Sequence, residues 1–241
     1  MDTQDIELSQ ELCIEVATKE DLIRRVFPQI EMNYTNHSWL NERAILAPKN
    51  SDVNIINQII QEKIPGNTSS YKSIDTVVDE SETVNYPTEF LNSLDLSGIP
   101  PHDLVLKEGS SVMCLRNIDP PRLYNGTRII VTKLMDYLIE GVILGGKFKG
   151  TSVLIPRIPM IPTDLPFEFK RLQFPVRLAF AMTINKAQGQ SLRVCGVNLE
   201  KPCFSHGQLY VACSRVGSPI NIFIYAPGGK TKSIVYPKAL E

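Results

Sequence analysis

Residues 181–192 read AMTINKAQGQSL, and this stretch carries the clearest signal of the fold. An apolar run ends here, a short helical pattern follows as far as Ala187, and Gly189 breaks that pattern. A turn from a strand into a helix can offer backbone N–H groups and polar side chains to phosphates. Hydroxyl, amide and ammonium groups follow one another between Thr183 and Gln190. On its own, the stretch fits a phosphate-binding turn and an ordinary polar loop equally well.

The sequence on either side alternates between strand and helix patterns. Apolar runs that predict strands are residues 43–48, 176–180, 194–199 and 220–225. Asn50 or Ser51 is positioned to cap a helix whose apolar stripe begins at Val53. Near the N-terminus, Thr18 and Asp21 form a capping-box pattern ahead of another amphipathic helix. This alternation predicts an α/β domain.

A different pattern fills the middle of the chain. Between about residues 67 and 166, short apolar runs are separated by prolines and by turn pairs such as Asn125-Gly126. Short strands joined by tight turns predict a small β-barrel or meander. We therefore expect an N-terminal helical or linker segment over residues 1–40, an α/β domain over 41–85 and 167–241, and an inserted β-rich domain over 86–166.

Composition narrows the class of protein. Hydrophobic residues make up 43% of the 241, which is enough for the buried core of one or two domains. No apolar run approaches the roughly 20 residues of a membrane span, so no membrane partner is predicted. The five cysteines include no CxxC pair, so we expect reduced thiols and no metal site.

Charge is distributed unevenly along the chain. Residues 1–85 carry 7 basic and 15 acidic side chains, whereas residues 86–241 carry 18 basic and 11 acidic side chains. A basic C-terminal part is suited to holding a phosphate backbone. An ordinary solvated surface explains the same charges, so charge alone does not decide for nucleic acid.

A second polar motif occupies residues 205–215, which read SHGQLYVACSR. Ser205 and Gln208 form a capping-box pattern at the start of a helix. Arg215 falls off the apolar stripe near the helix end, so we expect its guanidinium to be free to reach outward. There it can stabilise charge on a transferring phosphoryl group, or merely complement the helix dipole. From this helix alone, the second role is the more common one.

The 241 residues contain no phosphate-binding loop to accompany these motifs. The sequence Gly228-Gly229-Lys230-Thr231 ends like such a loop, but Ile224 stands where its first glycine is required. Residues 145–151 have two glycines at the right separation, but Thr151 stands where lysine is required. Asp79-Glu80 looks like a magnesium-binding acidic pair, although an exposed acidic turn explains it better.

Read together, these segments resemble the petite-integration-frequency (Pif-type) DNA helicases, 5′-to-3′ enzymes of superfamily 1 with relatives in eukaryotic rolling-circle transposons. The resemblance runs from about Leu40 to Ala226. Residues 43–50 resemble motif IV, residues 181–192 resemble motif V, and residues 208–216 resemble motif VI. The segments that resemble the family's insertion in the second motor domain are residues 86–94, 98–102, 106–109, 115–117 and 125–128.

The resemblance implies an α/β fold, namely a RecA-like second motor domain that lacks its own P-loop and carries an inserted small β-barrel. It implies that Arg215 acts as an arginine finger on the γ-phosphate of ATP, with Gly189 and Gln190 near the nucleotide. Such a residue is a catalytic one, because it touches the group that is transferred.

Contacts with the backbone of single-stranded DNA are also implied by the resemblance, and they fall on Lys49, Asn50, Thr183, Asn185 and Lys186. Asn185 stands where the family usually has histidine, and its amide can still donate to a phosphate over a shorter reach. Binding of this kind is mainly to phosphates, so we expect strong salt dependence and little sequence preference.

The family's first motor domain, with its phosphate loop and magnesium-binding acids, has no counterpart in the sequence. We therefore expect ATP and Mg²⁺ to serve a full-length parent, and neither to bind tightly to this chain. The isolated chain is expected neither to hydrolyse ATP nor to unwind DNA.

For the parent, the resemblance implies ATP hydrolysis coupled to 5′-to-3′ unwinding in DNA repair, recombination or telomere maintenance. The implied location is the nucleus, with the mitochondrion as the alternative. Two other functions stay open for the chain itself. One is a non-enzymatic module that binds single-stranded DNA, and the other is a subunit that complements a separate first motor domain.

Overall fold

A computed structural model describes residues 2–8, 11–79, 84–96, 98–162 and 165–235 of the chain. The described helices are α1 (Lys19–Val26), α2 (Ile30–Asn33), α3 (His37–Asn41), α4 (Asn50–Lys63), α5 (Thr88–Ser93) and α6 (Gln208–Cys213). The described strands are β1 (Asp2–Glu7), β2 (Ile14–Glu15), β3 (Arg43–Ala47), β4 (Ser69–Lys72), β5 (Ile74–Val77), β6 (Asp103–Leu106), β7 (Ser111–Cys114), β8 (Arg128–Leu134), β9 (Leu138–Ile143), β10 (Ser152–Pro156), β11 (Ile158–Met160), β12 (Phe169–Gln173), β13 (Val176–Leu178), β14 (Ala181–Thr183), β15 (Val194–Asn198), β16 (Ile222–Tyr225) and β17 (Lys230–Val235). Among these helices, none is long and apolar enough to cross a membrane.

The chain divides into two compact units. The α/β unit comprises Met1–Ile64 and Ala179–Glu241, and the β unit comprises Pro65–Leu178. The boundaries predicted near residues 85 and 167 both lie inside the β unit, because β4 pairs with β6 and β12 pairs with β5. The predicted strand of residues 176–180 ends at Leu178 and pairs with β7, so it belongs to the β unit as well.

A five-stranded parallel sheet forms the centre of the α/β unit, in the order β14-β3-β15-β16-β2. The strand predicted at residues 43–48 is confirmed as β3, in which the side chains from Ala44 to Ala47 are fully buried. A strand of a parallel sheet that is covered on both faces has a continuous apolar sequence. This is why the sequence pattern predicted β3 correctly. The predicted α/β class is confirmed, and the sheet of this unit is parallel.

Helix α1 packs on this sheet, although its residues were predicted to lie in a separate N-terminal segment. The capping prediction is confirmed, because Thr18 Oγ1 accepts a hydrogen bond from the Asp21 N–H at 3.0 Å. Gly196 in β15 allows close packing, since a Cβ there would lie 2.7 Å from Val26 Cγ2 and 3.1 Å from Leu22 Cδ1. Any side chain at position 196 would therefore require Val26 and its neighbours in α1 to shift.

The predicted N-cap residues of two helices are wrong. Helix α4 has Lys49 as its N-cap, so neither Asn50 nor Ser51 caps it. Helix α6 begins at Gln208, after Gly207 in a left-handed conformation with φ of 65°, so Ser205 is too far away to be its N-cap. The buried Gln208 side chain instead accepts a hydrogen bond from the Phe204 N–H at 3.1 Å.

The β unit contains a five-stranded antiparallel sheet in the order β10-β9-β8-β7-β13, a three-stranded sheet in the order β11-β12-β5, and the pair β4-β6. A cluster of buried apolar residues lies against the five-stranded sheet, including Val112, Ile129 and Phe174. Among the described pairings, none joins β10 to β13, so closure into a small barrel stays a prediction.

A buried arginine connects several segments of the β unit. The Arg171 guanidinium forms an ion pair with Asp75, at 2.7 Å between Nη2 and Oδ2, and both side chains are fully buried. The same guanidinium donates to the carbonyl oxygens of Leu91, Leu94 and Pro100 at 2.8 to 3.1 Å. Arg171 thereby ties α5 and the segment that follows it to β5 and β12.

A ribbon formed by β1 and β17 was not predicted. The two strands pair antiparallel from Asp2↔Val235 to Glu7↔Lys230, and a 3.3 Å ion pair joins the last two side chains. Lys230 and Thr231, which imitate the end of a phosphate-binding loop in sequence, lie in β17 and start no helix.

Candidate functional site

The predicted DNA-contacting residues meet at the carboxyl edge of the parallel sheet. Strand β14 ends at Thr183 and pairs in register with Ala47 at the end of β3. Lys49 and Asn50 follow β3 at the start of α4, and the 3-10 turn Ile184–Ala187 follows β14. Carboxyl ends of neighbouring parallel strands are where open α/β sheets bind ligands. The fold thus brings these predicted residues to one edge.

The turn after β14 presents its polar side chains and buries its apolar ones. Ile184 and Ala187 are fully buried, whereas Asn185 and Lys186 are exposed. The short helical pattern predicted as far as Ala187 is a 3-10 turn that begins at Ile184, because Met182 is a buried residue of β14. An ammonium group and an amide therefore project from an apolar anchor, as contact with a phosphate chain requires.

A buried side chain of α4 fixes the position of β14. Asn57 Nδ2 donates to the Ala181 carbonyl oxygen at 3.0 Å, and the Ala181 N–H donates to Asn57 Oδ1 at 2.8 Å. Asn57 therefore provides a hydrogen-bond partner for both backbone groups of Ala181, just before the predicted DNA-contacting turn.

Replacing Asn57 by alanine is expected to lower the free energy of unfolding of the α/β unit by about 1–3 kcal/mol, because the buried N–H and carbonyl groups of Ala181 lose their partner. Urea unfolding followed by the fluorescence of Trp39, the one tryptophan, measures this loss. The control is Gln58→Ala, at an exposed position of the same helix, and its effect should stay within about 0.5 kcal/mol. Equal effects of the two variants would contradict the assignment.

The three predicted nucleotide-site residues also lie together. Gly189 has φ of 79°, and the Gln190 N–H donates to the Ala187 carbonyl oxygen at 3.0 Å, so the chain turns sharply here. Arg215 Nη1 donates to the carbonyl oxygens of Ala187 and Gln190 at 3.4 and 3.2 Å. The guanidinium of the motif at residues 205–215 is thus in direct contact with the segment at residues 181–192.

The prediction that the Arg215 guanidinium is free to reach outward is wrong. Besides the contacts above, Nε donates to the Val211 carbonyl oxygen at 2.8 Å and Nη2 donates to Ser214 Oγ at 2.8 Å. Helix α6 ends at Cys213, so Arg215 lies beyond the helix and its half-buried side chain turns back onto the last turn.

Sequence reasoning missed Lys201 as a member of this edge. Its ammonium lies 3.0 Å from Asp52 Oδ1 and 3.2 Å from Ser51 Oγ, in the first turn of α4. Asp52 is buried, and Lys201 balances its charge beside the exposed Lys49 and Asn50. The sequence could have indicated this residue, because Lys201 closely follows the predicted strand that became β15, and β15 pairs with β3.

The surroundings of two cysteines in the α/β unit disfavour the thiolate form that acts as a nucleophile. Burial raises the pKa of Cys203 to about 12 and the pKa of Cys213 to about 11, so both are neutral thiols near pH 7. Within the described residues, no group of three or more His, Cys, Asp or Glu side chains is arranged to hold a metal ion.

Comparisons with known proteins consistently find similarity to Pif1 DNA helicases. The family model described as DNA helicase Pif1, 2B domain, matches residues 89–134, inside the β unit. The ATP-dependent DNA helicase PIF1 of Xenopus laevis is 30% identical over 186 residues, which are 75% of this chain and 27% of that protein. The ATP-dependent DNA helicase Pif1 of Campylobacter jejuni is 27% identical over 239 residues, which are 93% of this chain and 52% of that protein.

Solved structures show the same relationship at the level of the fold. A structure of two coordinating Pif1 helicases unwinding forked double-stranded DNA has a TM-score of 0.58 and 25% identity, and the match covers 86% of this chain and 47% of that one. The chain thus spans 27% of the length of the Xenopus laevis protein and 52% of the length of the Campylobacter jejuni protein.

Proposed function

We propose that this chain, which is homologous over most of its length to Pif1 DNA helicases, is the C-terminal part of an ATP-dependent helicase of that type. The observation that carries the proposal is the meeting of Arg215 with the 187–190 turn, beside the carboxyl edge of a parallel sheet. In this arrangement one segment can contact single-stranded DNA through Asn185 and Lys186 and nucleotide through Gly189 and Gln190.

The DNA contact proposed for this edge is electrostatic. Lys49, Asn50 and Lys186 are exposed, and the ion pair of Lys201 with Asp52 removes the acidic charge that would otherwise repel a phosphate. Ammonium groups and amides at such an edge bind phosphate oxygens without reading the bases. We therefore propose single-stranded DNA as a partner, held with little sequence preference.

The nucleotide contact proposed for this chain is only part of an ATP site. Arg215 would face the γ-phosphate, and the turn at Gly189 and Gln190 would lie beside it. A first motor domain would supply the phosphate loop and the ligands of Mg²⁺, and that domain is the second proposed partner. Coupled to it, the chain would take part in 5′-to-3′ unwinding of DNA in the nucleus.

Binding of a labelled oligothymidine to the full chain, measured by fluorescence anisotropy without nucleotide, tests the DNA part of the proposal. Removing one ammonium group that binds a phosphate should reduce the slope of log affinity against log salt by about 0.7. The double variant Lys49→Ala, Lys186→Ala is therefore expected to lower the slope by about 1.4 and to bind several-fold more weakly.

Lys63→Ala is the matched control, because Lys63 is exposed at the other end of the 14-residue helix α4. That end lies about 20 Å from Lys49 along the helix axis. A slope that falls as much in the control as in the double variant would show that binding is spread over the surface. Salt-sensitive binding by a chain that gives no ATPase activity on mixing with a Pif-type first motor domain would favour the DNA-binding module instead.

A further inference from the structure

Arg215 directs four of its five N–H donors at groups of the α/β unit itself. Its guanidinium donates to three backbone carbonyl oxygens, those of Val211, Ala187 and Gln190, and to the hydroxyl of Ser214. Two of these acceptors belong to the turn after β14, and the other two lie at the end of α6. The side chain therefore acts as a cross-link between the two motifs.

The turn that this cross-link holds is anchored by the buried Ile184 and Ala187, but its own backbone hydrogen bonds are weak. It consists of a four-residue 3-10 turn and a left-handed glycine, and short 3-10 turns have strained hydrogen bonds. Its other ties include the 2.9 Å hydrogen bond from the Leu192 N–H to the Arg215 carbonyl oxygen. Position 215 thus supports the turn through both its side chain and its backbone.

We infer that Arg215 is a positioning residue for the DNA-contacting turn, in addition to its proposed role toward ATP. By holding the carbonyl groups of Ala187 and Gln190, it keeps Asn185 and Lys186 displayed toward the DNA backbone. This inference deepens the proposed function and rests on it.

The two roles of Arg215 compete for the Nη1 donors. The Nη1 group that donates to the turn cannot at the same time present those N–H bonds to a γ-phosphate. A charged phosphate is a stronger acceptor than a neutral carbonyl, so ATP bound beside Arg215 would draw the guanidinium away and loosen the turn. Because coupling between two ligands is reciprocal, DNA that fixes the turn must in equal measure oppose capture of the phosphate.

Single-stranded DNA binding by the full chain without nucleotide tests the positioning role. Arg215→Lys keeps the positive charge but cannot bridge four acceptors, and we expect it to bind labelled oligothymidine about tenfold more weakly, with a slope of log affinity against log salt reduced by about 0.7. Arg193→Ala is the control, because it removes a charge from an exposed arginine of the same unit and should change affinity less than twofold.

Repeating the measurement in a Lys186→Ala chain distinguishes a positioning role of Arg215 from direct contact of Arg215 with DNA. If Arg215 acts by displaying Lys186, then Arg215→Lys should cost little further affinity in a Lys186→Ala chain, because the two losses are then not additive. Additive losses would overturn the inference, as would an Arg215→Lys chain that binds like the original. Thermal unfolding of each variant checks that the fold is kept. A chain that binds no single-stranded DNA at all would instead sink the proposed function, and this inference with it.

Discussion

Replacing Arg215 by alanine is expected to lower the ATPase rate of a joined helicase, in which this chain follows a Pif-type first motor domain, by roughly 10³- to 10⁵-fold. In the proposed role the guanidinium would stabilise charge that develops on the γ-phosphoryl group during transfer, so its loss should appear in kcat and leave the KM for ATP within a few-fold. Release of inorganic phosphate with saturating single-stranded DNA measures the effect. Saturation matters because Arg215 also donates hydrogen bonds to the turn that is proposed to contact DNA.

Arg215→Lys and Arg193→Ala are the companion variants for this measurement. Lysine keeps the charge but offers a single ammonium on a flexible stem, so we expect Arg215→Lys to recover only a small part of the rate. Arg193 lies in an exposed ion pair with Glu42 at 3.5 Å, and its replacement should leave kcat within about twofold. A rate within tenfold of the original in Arg215→Ala would assign the finger to another residue.

Local patterns predicted the parts of the fold that local physics determines. The hydroxyl cap at Thr18 and the buried run of β3 depend on neighbours within a few residues, and both predictions are confirmed. The site residues were predicted from the family resemblance of short motifs and stay predictions, and the strand register at Thr183 and Ala47 accounts for why the DNA-contact candidates lie at one edge.

The parts that sequence reasoning missed depend on distant partners. Helix α6 starts late because Gly207 takes a left-handed conformation and Gln208 turns its side chain back to Phe204. The contacts of Arg215 with the turn at residues 187–190 span about 25 positions of sequence, and no periodicity encodes them. The extent of the β unit depends on pairing between β5 and β12, which lie far apart in the chain.

The ion pair of Arg171 with Asp75 carries the largest stability prediction. Arg171→Ala is expected to lower the free energy of unfolding of the β unit by about 3–5 kcal/mol, because it leaves the buried Asp75 carboxylate without its positive partner. The backbone carbonyls of Leu91, Leu94 and Pro100 lose their donor at the same time. Urea unfolding followed by far-UV circular dichroism measures the loss, and Trp39 fluorescence reports the α/β unit as an internal reference.

The double variant Arg171→Met, Asp75→Leu decides which of these contacts matters more. If the unpaired carboxylate causes most of the loss, replacing both partners by apolar residues should recover most of the stability. If the carbonyl contacts to α5 and the segment after it dominate, recovery should be small. Arg177→Ala is the matched control, because its partner Asp95 is exposed and the half-buried pair is screened by water. A loss for Arg177→Ala as large as that for Arg171→Ala would mean that burial of the pair is not what makes Arg171 important.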